Sequence, residues 1–345
     1  MRNHHSVRAV LARTSLTKAL AAAMFTGVAA AHAEPDAQSY DRTAVFLGTA
    51  GAVSYQVHVP PAQSSGRALP LVVAVHGCGM TGYTLNSMKD MTDLNALADR
   101  EGFLVVYPSQ DPLRGLRLNC WNGDDAAHQR RGEGEPALIA GLTEQVITEF
   151  GADRSRVHVL GASSGAGIAV IMGVTYPDVY ATVMSMAGGE YKINEAGRDA
   201  AGRLDPVNLS PVDTAERAFA EMGPRARAVP VMVVQGDQDT TVPPYFATRL
   251  VTHWAAIDDL AMTGEVDGPV DDVPESVVQV SDPNRHSYTY SKYYARGGDT
   301  SLIDYVLVNG MVHRWPGTGS GPLVDNQGPD LATMWWDWAK SRSMP

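Results

Sequence analysis

Apolar residues occur along the chain as short continuous runs, separated by longer stretches of helical periodicity. A strand buried on both faces leaves a continuous run, whereas a helix packed on one side repeats its apolar residues every three or four positions. The runs predict strands at 69–75, 103–107, 157–160, 182–186, 229–234 and 305–308, and alternation predicts further strands within 43–59. Helical spacing predicts helices over 91–100, 136–150, 165–176, 244–257 and 330–340.

Strands and helices that alternate in this way predict an α/β fold with a mostly parallel, doubly wound sheet. Residues 264–282 are acidic, contain proline and lack periodicity, so a surface insertion loop is expected there. No internal repeat, low-complexity block or Pro/Gly/Ser/Thr-rich linker divides the chain. We therefore expect a single domain over residues 34–345.

The first 33 residues have the pattern of a secretory signal peptide. Basic residues precede a small apolar stretch over 19–31, and Ala31-His32-Ala33 matches the small-x-small cleavage pattern. The apolar stretch is shorter than the roughly 20 residues that a membrane span needs, and a permanent membrane anchor is the alternative interpretation. The mature protein is expected to begin near Glu34 and to be soluble and secreted, either extracellular or periplasmic.

The net charge of −11 argues against partners that bind a clustered basic surface. Nucleic acids and anionic membranes are bound by such clusters, and beyond residue 18 the chain has only the pair Arg130-Arg131. No H-E-x-x-H or C-x-x-C spacing is present, so neither a metal nor another cofactor is expected. No feature of the sequence indicates an oligomeric state.

A candidate nucleophile lies in Gly161-Ala162-Ser163-Ser164-Gly165, which matches the G-x-S-x-G nucleophile elbow. A predicted strand precedes this segment and a predicted helix follows it. The elbow needs both, because a sharp strand-to-helix turn exposes the serine hydroxyl above the sheet. Ser164 is the competing hydroxyl, but Ser163 is the residue at the centre of the motif. A Ser/Gly-rich turn without chemistry is the alternative.

A nucleophilic serine needs a base, and the base needs an acid that orients it. The strand over 229–234 leads into a loop that contains Asp237 and Asp239. Both carboxylates lie just beyond the strand, where open α/β sheets place functional groups, and position alone does not choose between them. His313 lies in a glycine-bounded loop after the last predicted strand. The order serine, acid, histidine is that of α/β-hydrolases.

The remaining requirement is an oxyanion hole, formed by the N–H after the nucleophile and an N–H from the loop after an early strand. The first would be that of Ser164. The segment His76-Gly77-Cys78-Gly79 follows the first buried strand and is the candidate for the second. The chain has two cysteines, Cys78 and Cys120, and composition leaves a disulfide and two buried thiols about equally open.

With these motifs in place, the chain resembles the polyhydroxybutyrate depolymerase-like esterases, relatives of the feruloyl and acetylxylan esterases. The resemblance covers about residues 69–338 and rests on LVVAVHGC (71–78), NCWN (119–122), RGEGE (131–135), VLGASSG (159–165), TYPDV (175–179) and GMVHRWPG (310–317). It implies the α/β-hydrolase fold, with Asp239 rather than Asp237 as the acid and His313 as the base. It also implies the Cys78 and Ser164 amides as oxyanion donors and a Cys78–Cys120 disulfide.

The chain departs from the family pattern in three places. The family's elbow usually reads L-S-A-G-G where this chain has residues 162–166, and the usual histidine that opens the acid block is Gln235. The linker and separate polymer-binding domain of extracellular polymer-degrading members have no counterpart in this sequence. The last departure weakens the case for attack on solid polymer more than the case for ester hydrolysis.

The resemblance implies a secreted serine esterase that works through an acyl-enzyme. The expected substrates are poly(3-hydroxybutyrate)-type polyesters or their oligomers, or small esters, and a feruloyl or acetylxylan esterase is the alternative. A non-catalytic α/β-hydrolase-like binding protein is the alternative from a different class. Trp121 and Trp315 are expected to line an apolar crevice for the substrate, although aromatic residues of this kind are as often part of the core.

Overall fold

A ten-stranded sheet forms the centre of the protein in the computed structural model, which describes residues 38–110, 118–196 and 208–345. The predicted signal segment, residues 1–33, lies outside the described residues. The strands are β1 (Tyr40–Gly48), β2 (Gly51–Val59), β3 (Leu71–Val75), β4 (Leu104–Ser109), β5 (Val157–Ala162), β6 (Thr182–Met186), β7 (Val231–Gly236), β8 (Ser276–Asp282), β9 (Arg285–Tyr294) and β10 (Ser301–Val308).

The strand order is β1-β2-β4-β3-β5-β6-β7-β10-β9-β8. The six central strands from β4 to β10 pair in parallel, and antiparallel strands extend the sheet at both ends. The prediction of a mostly parallel sheet is thereby confirmed. A short pair, β11 (Trp315–Pro316) and β12 (Val324–Asp325), lies outside the main sheet.

Helices cover both faces of the sheet, as a doubly wound fold requires. They are α1 (Met88–Thr92), α2 (Leu94–Glu101), α3 (Gly134–Phe150), α4 (Ser164–Thr175), α5 (Pro211–Met222), α6 (Tyr245–Thr263) and α7 (Leu331–Ala339). Helices α3 to α6 pack in one apolar core, and α1, α2 and α7 pack in a second. Side chains of β3 alternate between the two cores, because successive residues of a strand point to opposite faces.

The expectation of a surface loop over 264–282 is wrong for its last part. Residues Ser276–Asp282 form the edge strand β8, which pairs with β9. Most side chains of β8 are exposed on both faces, so burial imposes no alternation that the sequence could reveal. Earlier in the segment, Val270 is buried, and its amide donates to the Asp259 carboxylate at 2.7 Å.

The apolar periodicity of the sequence does not predict helix α5, although the first turn of α5 carries a recognisable signal. The Ser210 hydroxyl accepts a hydrogen bond from the Asp213 amide at 3.0 Å, and the Asp213 carboxylate accepts one from the Ser210 amide at 3.0 Å. This reciprocal pair is a capping box. Among the residues that the structure describes, no helix has the length and apolar character to cross a membrane.

Candidate active site

Ser163 occupies a sharp turn between β5 and α4. Its backbone has φ 56° and ψ −120°, a positive-φ conformation that is strained for a residue with a side chain and persists only where the surroundings enforce it. The Ser163 amide donates to the Met186 carbonyl at the end of β6, at 2.9 Å. The turn therefore holds the serine between the end of the sheet and the first turn of a helix.

Two glycines allow this turn because other backbone atoms approach their α-carbons closely. A Cβ on Gly161 would overlap the backbone of Gly165, and a Cβ on Gly165 would overlap the carbonyl oxygens of Val75 and His76. The glycines of the G-x-S-x-G motif are thus required by packing of the first turn of α4 against β5 and the end of β3.

Ser163, His313 and Asp239 are joined by two hydrogen bonds. His313 Nε2 lies 3.0 Å from Ser163 Oγ, and His313 Nδ1 lies 2.7 Å from Asp239 Oδ2. An ionised carboxylate only accepts hydrogen bonds, so Nδ1 carries the proton and Nε2 is left to accept from the hydroxyl. This is the geometry of a nucleophile, a base and an orienting acid.

The Asp239 carboxylate is buried and well supplied with donors. Its Oδ1 accepts from the amides of Thr241 and Val242, both at 2.9 Å. Burial alone would raise the pKa of Asp239, but the hydrogen bonds from His313, Val242 and Thr241 outweigh it, and the pKa is lowered. Asp239 therefore stays ionised beside the imidazole.

Asp237, the other candidate acid, contacts a different part of the histidine loop. Its Oδ1 accepts from the Gly310 amide at 2.6 Å. Gly310 has φ 76°, a conformation that favours glycine. Asp237 thus fastens the turn that precedes His313, whereas Asp239 contacts the imidazole itself.

Strand β9, which the sequence did not predict, also supports the histidine loop. The Asn309 amide donates to the Ser287 carbonyl at 2.9 Å, and Asn309 Nδ2 donates to Ser287 Oγ at 2.8 Å. The loop that carries His313 is consequently attached to the acid loop through Asp237 and Asp239 and to β9 through Asn309.

The turn after β3 lies directly beside the nucleophile. A Cβ on Gly77 would be 3.1 Å from the Ala162 carbonyl oxygen and 3.2 Å from Ser163 Cβ. The amide of Cys78 follows in this turn, and the amide of Ser164 is the first of α4, where helix N–H groups have no intrahelical acceptor. Both predicted oxyanion donors are therefore in segments adjacent to Ser163.

His76 fixes the peptide that carries the Cys78 amide. Its Nδ1 donates to the Gly77 carbonyl at 2.8 Å, and its Nε2 accepts from the Gln110 amide at 3.0 Å. Burial lowers the pKa of His76 to about 4, although the bond to Gly77 opposes this, so the ring is neutral at pH 7. Because C=O and N–H point in opposite directions in a trans peptide, holding the Gly77 carbonyl also sets the direction of the Cys78 N–H.

A disulfide joins Cys78 to Cys120, with their Cα atoms 4.1 Å apart. The pairing implied by the family resemblance is thereby confirmed. The buried Glu135 fixes the chain just after Cys120, since its carboxylate accepts from the Asn122 amide at 2.8 Å and from Asn122 Nδ2 at 2.7 Å. Glu135 lies in the RGEGE block on which the family resemblance rests, and the sequence alone does not indicate this role.

The two tryptophans that are expected to line a crevice for the substrate are both buried. Trp121 is 4% exposed and Trp315 is 2% exposed, each in one of the apolar cores. Trp121 Nε1 donates to the His76 carbonyl at 2.9 Å, so Trp121 supports the turn from below. Their contact with a bound substrate stays a prediction.

Three exposed aliphatic side chains belong to the histidine loop or to segments that are bonded to the turn after β3. Val312 precedes His313 and is 45% exposed, Leu118 is 80% exposed and Leu85 is 85% exposed. The Leu118 carbonyl accepts from the Gly79 amide at 2.5 Å, and Asn86, the residue after Leu85, donates through Nδ2 to the Gly79 carbonyl at 2.9 Å. We call Leu85, Leu118 and Val312 the apolar rim.

Comparison with known proteins adds sequence relatives and a solved structure. The family described as "Esterase PHB depolymerase" matches residues 53–265. Poly(3-hydroxyalkanoate) depolymerase C from Paucimonas lemoignei is 29% identical over 272 residues, which are 76% of this chain and 59% of that protein. The chain thus spans about three fifths of that relative. Acetylxylan esterase A from Aspergillus ficuum is 31% identical over 238 residues, 66% of this chain and 75% of that protein.

A structural likeness supports the fold. The acetyl xylan esterase from Aspergillus awamori superposes with a TM-score of 0.64 at 22% identity, over 87% of this chain and 99% of that one. The two proteins therefore share the same α/β fold. In the described part of the chain, no group of three or more His, Cys, Asp and Glu side chains is arranged to hold a metal ion.

Proposed function

The chain belongs to the esterase PHB depolymerase family, and on that premise we propose that it is a serine carboxylic-ester hydrolase. The observation that carries the proposal is the position of His313, within hydrogen-bond distance of both Ser163 Oγ and Asp239 Oδ2. A binding protein without catalysis would not need these three groups in register.

In the proposed mechanism, Ser163 Oγ attacks the ester carbonyl while His313 Nε2 takes its proton. The same proton then passes to the alcohol oxygen as the ester bond breaks, leaving an acyl group on Ser163. Water attacks the acyl-enzyme with His313 again as the base, and the acid and Ser163 are released. Asp239 holds the imidazole in the Nδ1–H tautomer and stabilises the imidazolium that forms.

The negative oxygen of each tetrahedral intermediate would be held by the amides of Cys78 and Ser164. Such donors act most strongly when they are fixed before the reaction starts. The bond from His76 to the Gly77 carbonyl, the disulfide and the first turn of α4 all support this fixed geometry.

We propose hydroxyacid polyesters of the poly(3-hydroxybutyrate) type, or their oligomers, as the substrates. The relative from Paucimonas lemoignei is named as a depolymerase of poly(3-hydroxyalkanoate), and the apolar rim offers aliphatic surface beside the site. The competing substrates are feruloyl or acetyl esters of plant polysaccharide, because other relatives are named feruloyl esterase B and acetylxylan esterase A.

We further propose that the protein is exported. Disulfides form and persist in oxidising compartments, and the Cys78–Cys120 bridge fits such a compartment. The signal-like pattern of residues 1–33 points the same way.

The decisive experiment compares three substrates on one preparation of the purified mature protein: hydroxybutyrate oligomers, polymer film and methyl ferulate. Release of hydroxybutyrate units from oligomers, with slower attack on film and little ferulate cleavage, is the expected result. Ser163→Ala serves as the control for contaminating esterases. Strong ferulate cleavage without release from oligomers would transfer the assignment to the polysaccharide esterases.

A further inference from the structure

Gln235 is a buried side chain in β7 that contacts the proposed acid. Its Nε2 lies 3.1 Å from Asp239 Oδ2, 3.0 Å from the Val242 carbonyl and 3.3 Å from the Gly236 carbonyl. The side chain has no solvent exposure. The Gln235 side chain therefore extends from β7 into the interior of the loop that carries the Asp239 carboxylate.

The orientation of the Gln235 amide follows from its neighbours. Three acceptor oxygens surround one end of the amide, so that end must be the nitrogen, which alone can donate. In the residues that the structure describes, Gln235 Oε1 has no hydrogen-bond partner. Leaving a buried carbonyl oxygen unpaired is unfavourable. The hydrogen bonds that hold the Gln235 side chain are therefore those made by its nitrogen.

We propose that Gln235 is a positioning residue for the reaction, which acts by holding Asp239 Oδ2 in line with His313 Nδ1. This inference rests on the proposed esterase function. With Gln235 included, the carboxylate receives four donors: two amides on Oδ1, and His313 and Gln235 on Oδ2. A carboxylate bound on both oxygens in this way has one orientation.

Val242 makes the arrangement reciprocal. Its amide donates to Asp239 Oδ1 at 2.9 Å, while its carbonyl accepts from Gln235 Nε2 at 3.0 Å. Gln235 thus fixes both the carboxylate and the residue that supplies one of the carboxylate's other donors. Loss of the Gln235 amide would loosen two of the four contacts of Asp239 at once.

The test variant is Gln235→Met, which keeps the length and apolar body of the side chain and removes the donor. A hydrogen bond to a charged group of this kind corresponds to about a 10- to 100-fold change in rate when it is lost. We expect kcat for p-nitrophenyl butyrate to fall by that factor with KM unchanged, because the contacts of Gln235 are made within β7 and the acid loop.

The pH profile separates positioning from general support of the fold. A carboxylate with one donor fewer is more basic and holds a protonated imidazole more firmly. The acid limb of kcat/KM should consequently move to higher pH in Gln235→Met. A purely structural role would lower the amount of active protein without moving this limb.

Gln63→Met is the matched control. Gln63 Nε2 donates one hydrogen bond, to the Phe150 carbonyl at 2.7 Å, and its Oε1 likewise has no partner in the described residues. This variant loses a side-chain amide donor to a backbone carbonyl, as Gln235→Met loses its bond to the Val242 carbonyl, but it touches neither Asp239 nor its loop. We expect its kcat and pH profile to equal those of the wild type.

If Gln235→Met is unstable, Gln235→Glu replaces it. The carboxyl group that this substitution introduces can donate to Asp239 only while it is protonated. The activity of Gln235→Glu should therefore fall as pH rises and the second carboxyl ionises.

Wild-type kcat and an unmoved acid limb in Gln235→Met would overturn the inference, as would a loss of kcat equal to that of Gln63→Met. A Gln235→Glu variant with the wild-type pH profile would also overturn it. Failure of the esterase proposal is distinguishable, because the wild type would then be inactive or Ser163→Ala would retain activity, and the inference would fall with it.

Discussion

Replacing Asp239 by asparagine is the sharpest test of the acid, because the structure dictates how the new amide must lie. Two amide donors, from Thr241 and Val242, face the Oδ1 position at 2.9 Å. Asparagine can accept these bonds only through its carbonyl oxygen. Its NH₂ group must then take the place of Oδ2.

In that place the NH₂ faces His313 Nδ1, 2.7 Å away from the oxygen that it replaces, and also the donating nitrogen of Gln235. Relief of the donor–donor contact requires the imidazole to carry its proton on Nε2. The nitrogen that faces Ser163 Oγ then has no lone pair with which to accept the hydroxyl proton.

The expected loss of kcat in Asp239→Asn is therefore about 10⁴-fold, the magnitude that the wrong tautomer causes in serine proteases, or roughly 5 kcal/mol of barrier. The assay is hydrolysis of p-nitrophenyl butyrate, with urea unfolding to verify that the variant is folded. Asp237→Asn is the control. Its side-chain oxygen can still accept from the Gly310 amide, so activity should stay within about 3-fold of wild type. A large loss of kcat in Asp237→Asn, together with a nearly wild-type kcat in Asp239→Asn, would refute the assignment of the acid.

Three further outcomes are expected. Ser163→Ala and His313→Ala should each reduce kcat by roughly 10⁴–10⁶, and the double variant little more; fluorophosphonate labelling of any other serine would contradict the nucleophile. Reduction of Cys78–Cys120 should lower activity before the protein unfolds and decrease the free energy of unfolding by about 2–4 kcal/mol; two thiols in the native protein by mass spectrometry would contradict the bridge. Burial lowers the pKa of three histidines, to about 4 for His76 and about 3 for His158 and His253. The unfolded chain takes up these protons near pH 6.5, so the free energy of unfolding in urea should decline as pH falls from about 6.5 through about 4; equal stability at pH 7 and pH 4.5 would disprove this.

The central sheet was predictable because a strand that is buried on both faces is apolar at every position. All five side chains of β3 are buried, and the corresponding sequence is LVVAV. Strand β8 has no such apolar pattern, since most of its side chains are exposed. Its pairing with β9 depends on backbone hydrogen bonds, which any sequence of suitable propensity can make.

The candidate site was predictable as an order of motifs and not as a set of contacts. Asp237 and Asp239 are two residues apart in the same loop, and only the fold decides which of them faces His313. The family resemblance favoured Asp239, in agreement with the geometry. The burial of Trp121 and Trp315 could not be predicted from the sequence, because a tryptophan beside a glycine-rich loop can point into the core or out of it.

The three groups of the triad are far apart along the chain, so the activity of the site reports how completely the chain has folded. The hydrogen bond from Ser163 to His313 spans 150 residues, and the bond from Asp239 to His313 spans 74. A chain whose β10 has not yet paired with β7 has a serine in place but no base. Contacts of such long sequence separation form slowly, so enzyme activity should reappear during refolding only after helical circular dichroism has recovered. Active-site titration of a preparation would thus count the molecules in which β5, β7 and β10 are assembled.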